Sequence, residues 1–423
     1  MTTSETKSTK NNYTLILLML VYTFSFLDRQ IISILAEDIK AELSLSDTQL
    51  GVLTGLAFAL FYAGLGIPIA RLADKYNRVS IISISLGLWS AMTMASGIAS
   101  NYIQLALARV GVGVGEAGAM PASHSMIADM YPPEKRSGAM SVFQLGVPLG
   151  ILAGFAAGGW LSEWFGWRMS LIVVGAPGLI LAIILKLTVK EPKRLIAENS
   201  DQKEKKSFFK TVKELIAIPA YNHLCIAATL TSMGLYSIMA WTPALLLREY
   251  GLSRPVVGMA LALIIGVGGG LGTLLGGKLG DKALQKSKRG AFQICVRVCL
   301  LVAPLMIITY LIKDPFWVFV ALTPAALLFF AWMGPHWAMV QEIAPKSSRA
   351  VAVAFILFIL NLIGLGVGPV IIGAFSDAMK TSGMESPLSI ALMIMMIVFP
   401  WAAYHFYLAG KNYEKSLVNP KTS

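Results

Sequence analysis

Runs of about 20 or more apolar residues recur along the whole chain, separated by short polar breaks. A helix needs about 20 such residues to cross the hydrocarbon core of a bilayer. Twelve runs reach that length, at roughly 13–37, 47–71, 79–99, 103–128, 138–160, 168–189, 219–247, 255–279, 291–312, 315–341, 349–376 and 386–409. Each predicts one membrane-spanning α-helix, numbered here spans 1 to 12. Lipid offers the backbone no hydrogen bonds, so a spanning segment must satisfy its own. A longer polar stretch, about 190–217 and rich in Lys and Glu, divides the runs six and six. The expected organisation is an N-terminal six-helix bundle over 1–189, a cytoplasmic linker over 190–217 and a C-terminal six-helix bundle over 218–423. Residues 1–12 are polar and lead into span 1 without a small-residue cleavage site, so span 1 is read as a retained helix.

Composition sharpens this picture. Of 423 residues, 56% are hydrophobic and only 14% charged, against about 25% charged in soluble domains. A soluble enzyme, a secreted module and a disordered chain are excluded on that arithmetic, and an all-α integral membrane protein remains. The net charge of +12 does not point to nucleic acid, because the basic residues sit in short loops. With the N-terminus inside, 25 of the 35 Lys and Arg fall on the inner side. The outer loops hold six: Lys40, Arg168, Arg248, Arg254, Lys313 and Lys380. This bias places both termini in the cytoplasm. Cys225, Cys295 and Cys299 all lie in apolar runs. No metal-ligand spacing or disulfide framework accompanies them, and no cofactor motif is present.

The two halves repeat one another. Leu45-Ser46-Asp47-Thr48-Gln49-Leu50-Gly51 aligns with Leu252-Ser253-Arg254-Pro255-Val256-Val257-Gly258 at an offset of 207. The same offset carries Leu72-Ala73-Asp74-Lys75 onto Leu279-Gly280-Asp281-Lys282, and an offset of 213 carries Asp129 and Arg136 onto Glu342 and Arg349. Two pseudo-symmetric bundles follow, and parallel repeats of this kind put a substrate site near the bilayer midplane. Glycine spacing fits close helix packing. Gly146, Gly150, Gly154 and Gly158 run down span 5 at four-residue intervals, and further glycines cluster in spans 8 and 11. A gating role and plain packing both account for them.

Charged residues inside the spans are the sharpest signal. Asp28 and Arg29 lie in span 1, and Arg109 and Glu116 in span 4. Each costs at least about 2.5–3.5 kcal/mol at a helix centre and so must face a partner or a wet cavity. Asp28 lies about 22 Å and Glu116 about 20 Å from the inner ends of their helices, at about 1.5 Å per residue. The four groups therefore form one layer. Desolvation raises a buried carboxylate's pKa and a nearby arginine lowers it, so a moving arginine could switch such a site between proton-holding and proton-releasing forms. Asp28 and Glu116 are the candidate proton carriers, and Arg29 and Arg109 the candidate substrate-binding cations. The alternative is a permanent structural pair, Asp28 with Arg29 or Glu116 with Arg109. Adjacent helical residues point about 100° apart, which gives Asp28 and Arg29 different partners.

The second half holds few intramembrane charges. Its polar candidates for substrate contact are Tyr236, Trp241, His336 and Asn361, with Pro335 predicting a broken helix in span 10. A wet first half and an apolar, aromatic second half suit an amphipathic substrate better than a sugar.

The loop after span 2, Arg71-Leu72-Ala73-Asp74-Lys75-Tyr76-Asn77-Arg78, resembles the G-x-L-x-D-R/K-x-G-R signature of the major facilitator superfamily. Its second copy is Gly277-Lys278-Leu279-Gly280-Asp281-Lys282. Ala70 replaces the leading Gly, and Asn77 replaces the second, where it tolerates a left-handed turn. Asp74, Lys75, Arg78, Asp281 and Lys282 are the expected gating residues, with each carboxylate pairing with loop cations or helix termini. Leu27-Asp28-Arg29, Leu88-Trp89-Ser90, the span 4 run from Ala108 to Ala117, Ile127-Ala128-Asp129 and Trp241-Thr242-Pro243 resemble the spinster-type branch. The resemblance implies the major facilitator fold, alternating access, protonation at Asp28 and Glu116, and Arg29 and Arg109 lining one cavity. Animal relatives move lysophospholipids or phosphorylated sphingoid lipids. The expected function is export of an amphipathic or lipid-like anion by proton antiport, from a monomer in a bacterial inner membrane. An uptake symporter for small organic anions is the alternative. A membrane-embedded enzyme or a channel is more distant, since no nucleophile–base pair, metal set or Walker loop is present.

Overall fold

The structure, a computed structural model, describes residues 3–194, 207–287 and 289–418. Among these residues every element is helical and no strand occurs. Ten helical stretches are long and apolar enough to cross a membrane. Two features raise that number to the predicted twelve spans. The stretch Glu134–Thr188 is 55 residues long and holds both spans 5 and 6. It divides at Gly166, whose φ of 73° and ψ of 169° lie in a region open essentially to glycine alone. Span 4 is interrupted at Ala117 and Gly118, leaving Tyr102–Glu116 and Ala119–Met130, each too short to cross by itself.

Helix ends follow local chemistry. The Asn77 side chain accepts from the Ser80 N–H, and the Asn101 side chain accepts from the Gln104 N–H, satisfying donors that a helix start leaves open. Asn77 therefore corrects one expectation: its φ of −63° and ψ of 116° are extended, not left-handed. The turn after span 2 closes through a cap, a role in which Asn outperforms the glycine of the signature. Span 10 does break, into Pro315–Ala331 and Met333–Ile343, with Trp332 between. The Pro335 ring would clash with the carbonyl four residues back, at Ala331. Spans 2, 8 and 11 each contain a π-helical segment, at Val52–Leu56, Ala262–Val267 and Leu360–Val367.

The helices form two compact units: one of Met1–Leu45, Val52–Asp201 and Ser253–Ala262, and one of Ser46–Gly51, Gln202–Leu252 and Leu263–Ser423. A short segment of each half of the sequence thus packs with the other half's unit. In the first unit, the span 5 glycines face span 1. A β-carbon at Gly146 would lie 2.8 Å from the Met19 carbonyl oxygen, and one at Gly154 would lie 2.8 Å from that of Leu27. Gly150 is closer still to the Thr23 carbonyl oxygen, and Gly158 lies against the Ile34 side chain. Backbone of span 1 is met at Gly146, Gly150 and Gly154. The exchanged segment is held by Arg254, whose Nε donates to Asp38 Oδ2 at 2.7 Å. In the second unit the corresponding contact is Asp47, fully buried, with Arg248 at 2.8 and 2.9 Å and Ser376 at 2.6 Å. Asp377 accepts there from the N–H groups of Asp47 and Thr48.

Candidate functional site

Glycines of span 4 set up the site in the first unit. Gly113 lies against the Phe58 backbone of span 2, and a β-carbon at Gly115 would lie 2.7 Å from the Trp89 nitrogen of span 3. Span 4 can therefore sink between spans 2 and 3, and it carries Arg109 and Glu116 inward with it. Glu116 is the last residue before the helix interruption.

The four charged groups form two crossed pairs. Arg29 Nη2 donates to Glu116 Oε2 at 2.6 Å and its Nε does so at 3.0 Å. Arg109 Nη1 donates to Asp28 Oδ2 at 3.1 Å. Asp28, Arg109 and Glu116 are 1–3% exposed. Both structural pairings weighed from the sequence are replaced by this exchange between spans 1 and 4. Asp28 and Arg29 diverge by about 100° on their helix, and Arg109 and Glu116, seven residues apart, are separated by about 10 Å along theirs. Ser25 Oγ also donates to Glu116 Oε2, at 2.7 Å, and Thr93 Oγ1 donates to Asp28 Oδ1. Three rings surround the Arg29 guanidinium, with centroids at 5.1 Å for Phe26, 4.7 Å for Phe58 and 4.5 Å for Tyr62. Phe58 also lies 5.8 Å from the Arg109 guanidinium, so one ring touches both cations.

The pairing leaves two buried atoms without hydrogen-bond partners among the described residues: Glu116 Oε1 and Arg109 Nε. A cavity beside Glu116 is lined by Ser25, Tyr62, Trp89, Met120 and Ser123, among others. One carboxylate oxygen is thus committed to Arg29, while the other has spare acceptor capacity in a group that lines the cavity. Buried ion pairs add little to stability, because desolvation offsets most of their attraction. Two of them buried among membrane-spanning helices make this layer the candidate site.

Ser25, Thr93, Phe58 and Tyr62 were missed from the sequence. Ser25 stands one turn from Arg29, and Phe58 and Tyr62 stand one turn apart, which is a usable signal once Arg29 is taken as the centre. Thr93 is one of many hydroxyls in span 3 and carried none.

The remaining candidates are placed as follows. Arg78, 1% exposed, donates to Asp129 Oδ2 at 2.6 Å, Glu191 Oε1 at 2.7 Å and Ser125 Oγ at 2.8 Å. Glu191 also accepts from the Arg78 N–H at 2.8 Å, and Arg194 donates to the carbonyls of Ala73 and Tyr76. The start of the linker is thus fastened onto the loop after span 2, while residues 195–206 of the linker lie outside the described residues. Asp74, Lys75, Asp281 and Lys282 are exposed and form no ion pair among the described residues. In the second unit, Trp241 is 2% exposed and donates from Nε1 to the Pro369 carbonyl at 2.9 Å. Its indole N–H is thus already engaged by the backbone of span 11. Asn361 Nδ2 donates to its own helix at Leu357, and Tyr236 is half-buried. His336 is fully buried against the rings of Trp332 and Trp337, and both its nitrogens lack hydrogen-bond partners among the described residues.

Twelve spans in two repeated halves, with a charged layer buried inside one unit, define a multi-pass membrane transporter. Residues 18–369 match the Major Facilitator Superfamily, and the chain belongs to that family. Within it the chain is of the spinster type. It is 31% identical over 402 residues to an MFS-type efflux pump of Mycolicibacterium smegmatis, covering 95% of this chain and 93% of that one. It is 27% identical over 405 residues to the sphingosine-1-phosphate transporter SPNS2 of Danio rerio, covering 89% and 79%. Among solved structures, it resembles a bacterial homologue of the human lysosomal transporter spinster, captured inward-facing and unoccupied. That match has 30% identity and a TM-score of 0.86, over 96% of this chain and 98% of the other. Family members of this kind are transporters, and the chain is not an enzyme.

Proposed function

We propose that this chain is a proton-coupled carrier of an amphipathic, lipid-like anion, working by alternating access in a bacterial inner membrane with both termini cytoplasmic. The observation that carries this reading is the crossed pairing of Arg29 with Glu116 and Arg109 with Asp28. Each guanidinium is neutralised by a carboxylate that can take a proton. Protonating Glu116 releases Arg29 from its counter-ion, and the ring cage then keeps the cation in place for an anionic head group. The aromatic surroundings suit an amphiphile, and a relative that carries sphingosine-1-phosphate supports a lysophospholipid or sphingoid phosphate as the substrate class. Export by proton antiport is the direction expected from the sequence.

The same pairing favours a second reading. An anion gains Arg29 only when Glu116 is neutral, so proton and anion bind together and tend to travel together, as in a symporter for organic anions. Flux of lysophosphatidic acid, a sphingoid phosphate and small organic acids into liposomes under opposed pH gradients separates the two. Antiport and symport respond to gradients of opposite sign. Glu116→Gln is expected to abolish gradient-driven flux while retaining counterflow exchange. Wild-type flux indifferent to the gradient overturns proton coupling, and absence of amphiphile flux overturns the substrate class.

A further inference from the structure

The helix Phe208–Ile216, in the second unit, takes no part in the charged layer. Only Ala217 and Ile218 separate it from Pro219, where span 7 begins. A two-residue tether reaches at most about 7 Å, so the helix ends close to the start of span 7. Thr211, Val212 and Leu215 are buried, but Phe209 is 80% and Ile216 38% exposed. Lys210 and Lys213 are exposed, and neither pairs with a carboxylate among the described residues.

At about 100° per residue, these side chains follow one another round the helix in a definite order. Thr211, Leu215, Phe208 and Val212 form the inner face. Ile216 and Phe209 come next, then Lys213, Lys210 and finally Glu214. A helix lying flat on a bilayer requires that order: protein on one side, hydrocarbon beneath the adjoining flank, phosphates level with the lysines, and water beyond.

We propose that this helix is a docking surface for anionic phospholipid head groups, with Phe209 and Ile216 seated at the acyl boundary and Lys213 and Lys210 holding phosphate. Each lysine contributes about fivefold to affinity for an anionic surface. The full-length protein in neutral detergent is titrated separately with phosphatidylglycerol and phosphatidylcholine, and retained lipid is counted by native mass spectrometry. The wild type is expected to retain phosphatidylglycerol preferentially. Replacing both lysines, Lys210→Gln with Lys213→Gln, is expected to weaken that retention at least tenfold, and the paired Lys→Arg variant to keep it. Phe209→Ser is expected to weaken both lipids alike. Equal retention of the two lipids by the wild type, or unchanged phosphatidylglycerol retention in the Gln variant, overturns the proposal. Both lysines are exposed, so folding is not at stake, and the readout is independent of any transported substrate.

Discussion

Phe58 touches both guanidinium groups of the charged layer, and it is 1% exposed. A ring in that position holds two cations apart without neutralising either, contributing about 0.5–2 kcal/mol per contact. Phe58→Leu is expected to lower the unfolding temperature by a few degrees and also to move the pH at which flux is half-maximal. A lower unfolding temperature with an unmoved pH profile would assign Phe58 to packing alone. Glu42 gives a second test away from the layer. The Trp167 indole N–H and then the Arg168 guanidinium donate to it and hold its carboxyl below the ordinary glutamate range. A carboxylate depressed on folding stabilises the protein above its unfolded pKa, about 4.3, and loses that effect as pH falls through the folded value. The wild type is therefore expected to unfold at a higher temperature than Glu42→Gln near neutral pH, with the gap closing below about pH 4. A gap that stays constant would sink the assignment. At this scale the sequence showed the four charges, because an ionised group in an apolar run stands out. It did not show which charge meets which, since partner choice depends on helix rotation.

Spans were legible because their length and hydropathy are local properties. Their interruptions were harder. The break after Glu116 carries the same signal as the one in span 10, since the Pro121 ring would clash with the Ala117 carbonyl four residues back, but it went unused. The fold at Gly166 depends on one backbone angle that composition does not record. The break in span 10 was read correctly because Pro335 forces it. For the glycine stripe of span 5 the sequence left packing and gating both open, and the contacts with span 1 give the packing reading a direct test. Gly150→Val would push a side chain into the Thr23 carbonyl and the Phe26 β-carbon. Overpacking of that kind costs about 1–3 kcal/mol, and poor accumulation of folded protein is expected. Gly138, at the start of the same helical stretch, has open space around its α-carbon. Gly138→Ala is therefore expected to be neutral or slightly stabilising, as helix propensity dictates. Equal losses at the two positions, measured by thermal unfolding, would show that close approach does not decide the outcome.

For the whole molecule, the internal repeat is inverted in charge at one place. The offset of 207 that aligns the halves carries Asp47 onto Arg254. In the second unit Asp47 meets Arg248, and in the first Arg254 meets Asp38. Equivalent positions thus use the same bond with donor and acceptor exchanged. The repeat in the sequence already set Asp47 against Arg254; what it hid were their partners, Arg248 and Asp38. The exchange of residues 46–51 and 253–262 between units was hidden too, because periodicity assigns a residue to its neighbours in sequence while packing assigns it to neighbours in space. Asp47 is the better probe, being fully buried with Arg248 and Ser376 on its carboxylate. Removing one partner of a buried pair costs about 3–5 kcal/mol, since the other charge is left uncompensated. Asp47→Asn and Arg248→Gln are each expected to lower stability to that order, and the double variant to lose clearly less than their sum. Additive losses would mean that the two groups do not act as a pair, and the charge inversion between the repeats would then have no energetic content.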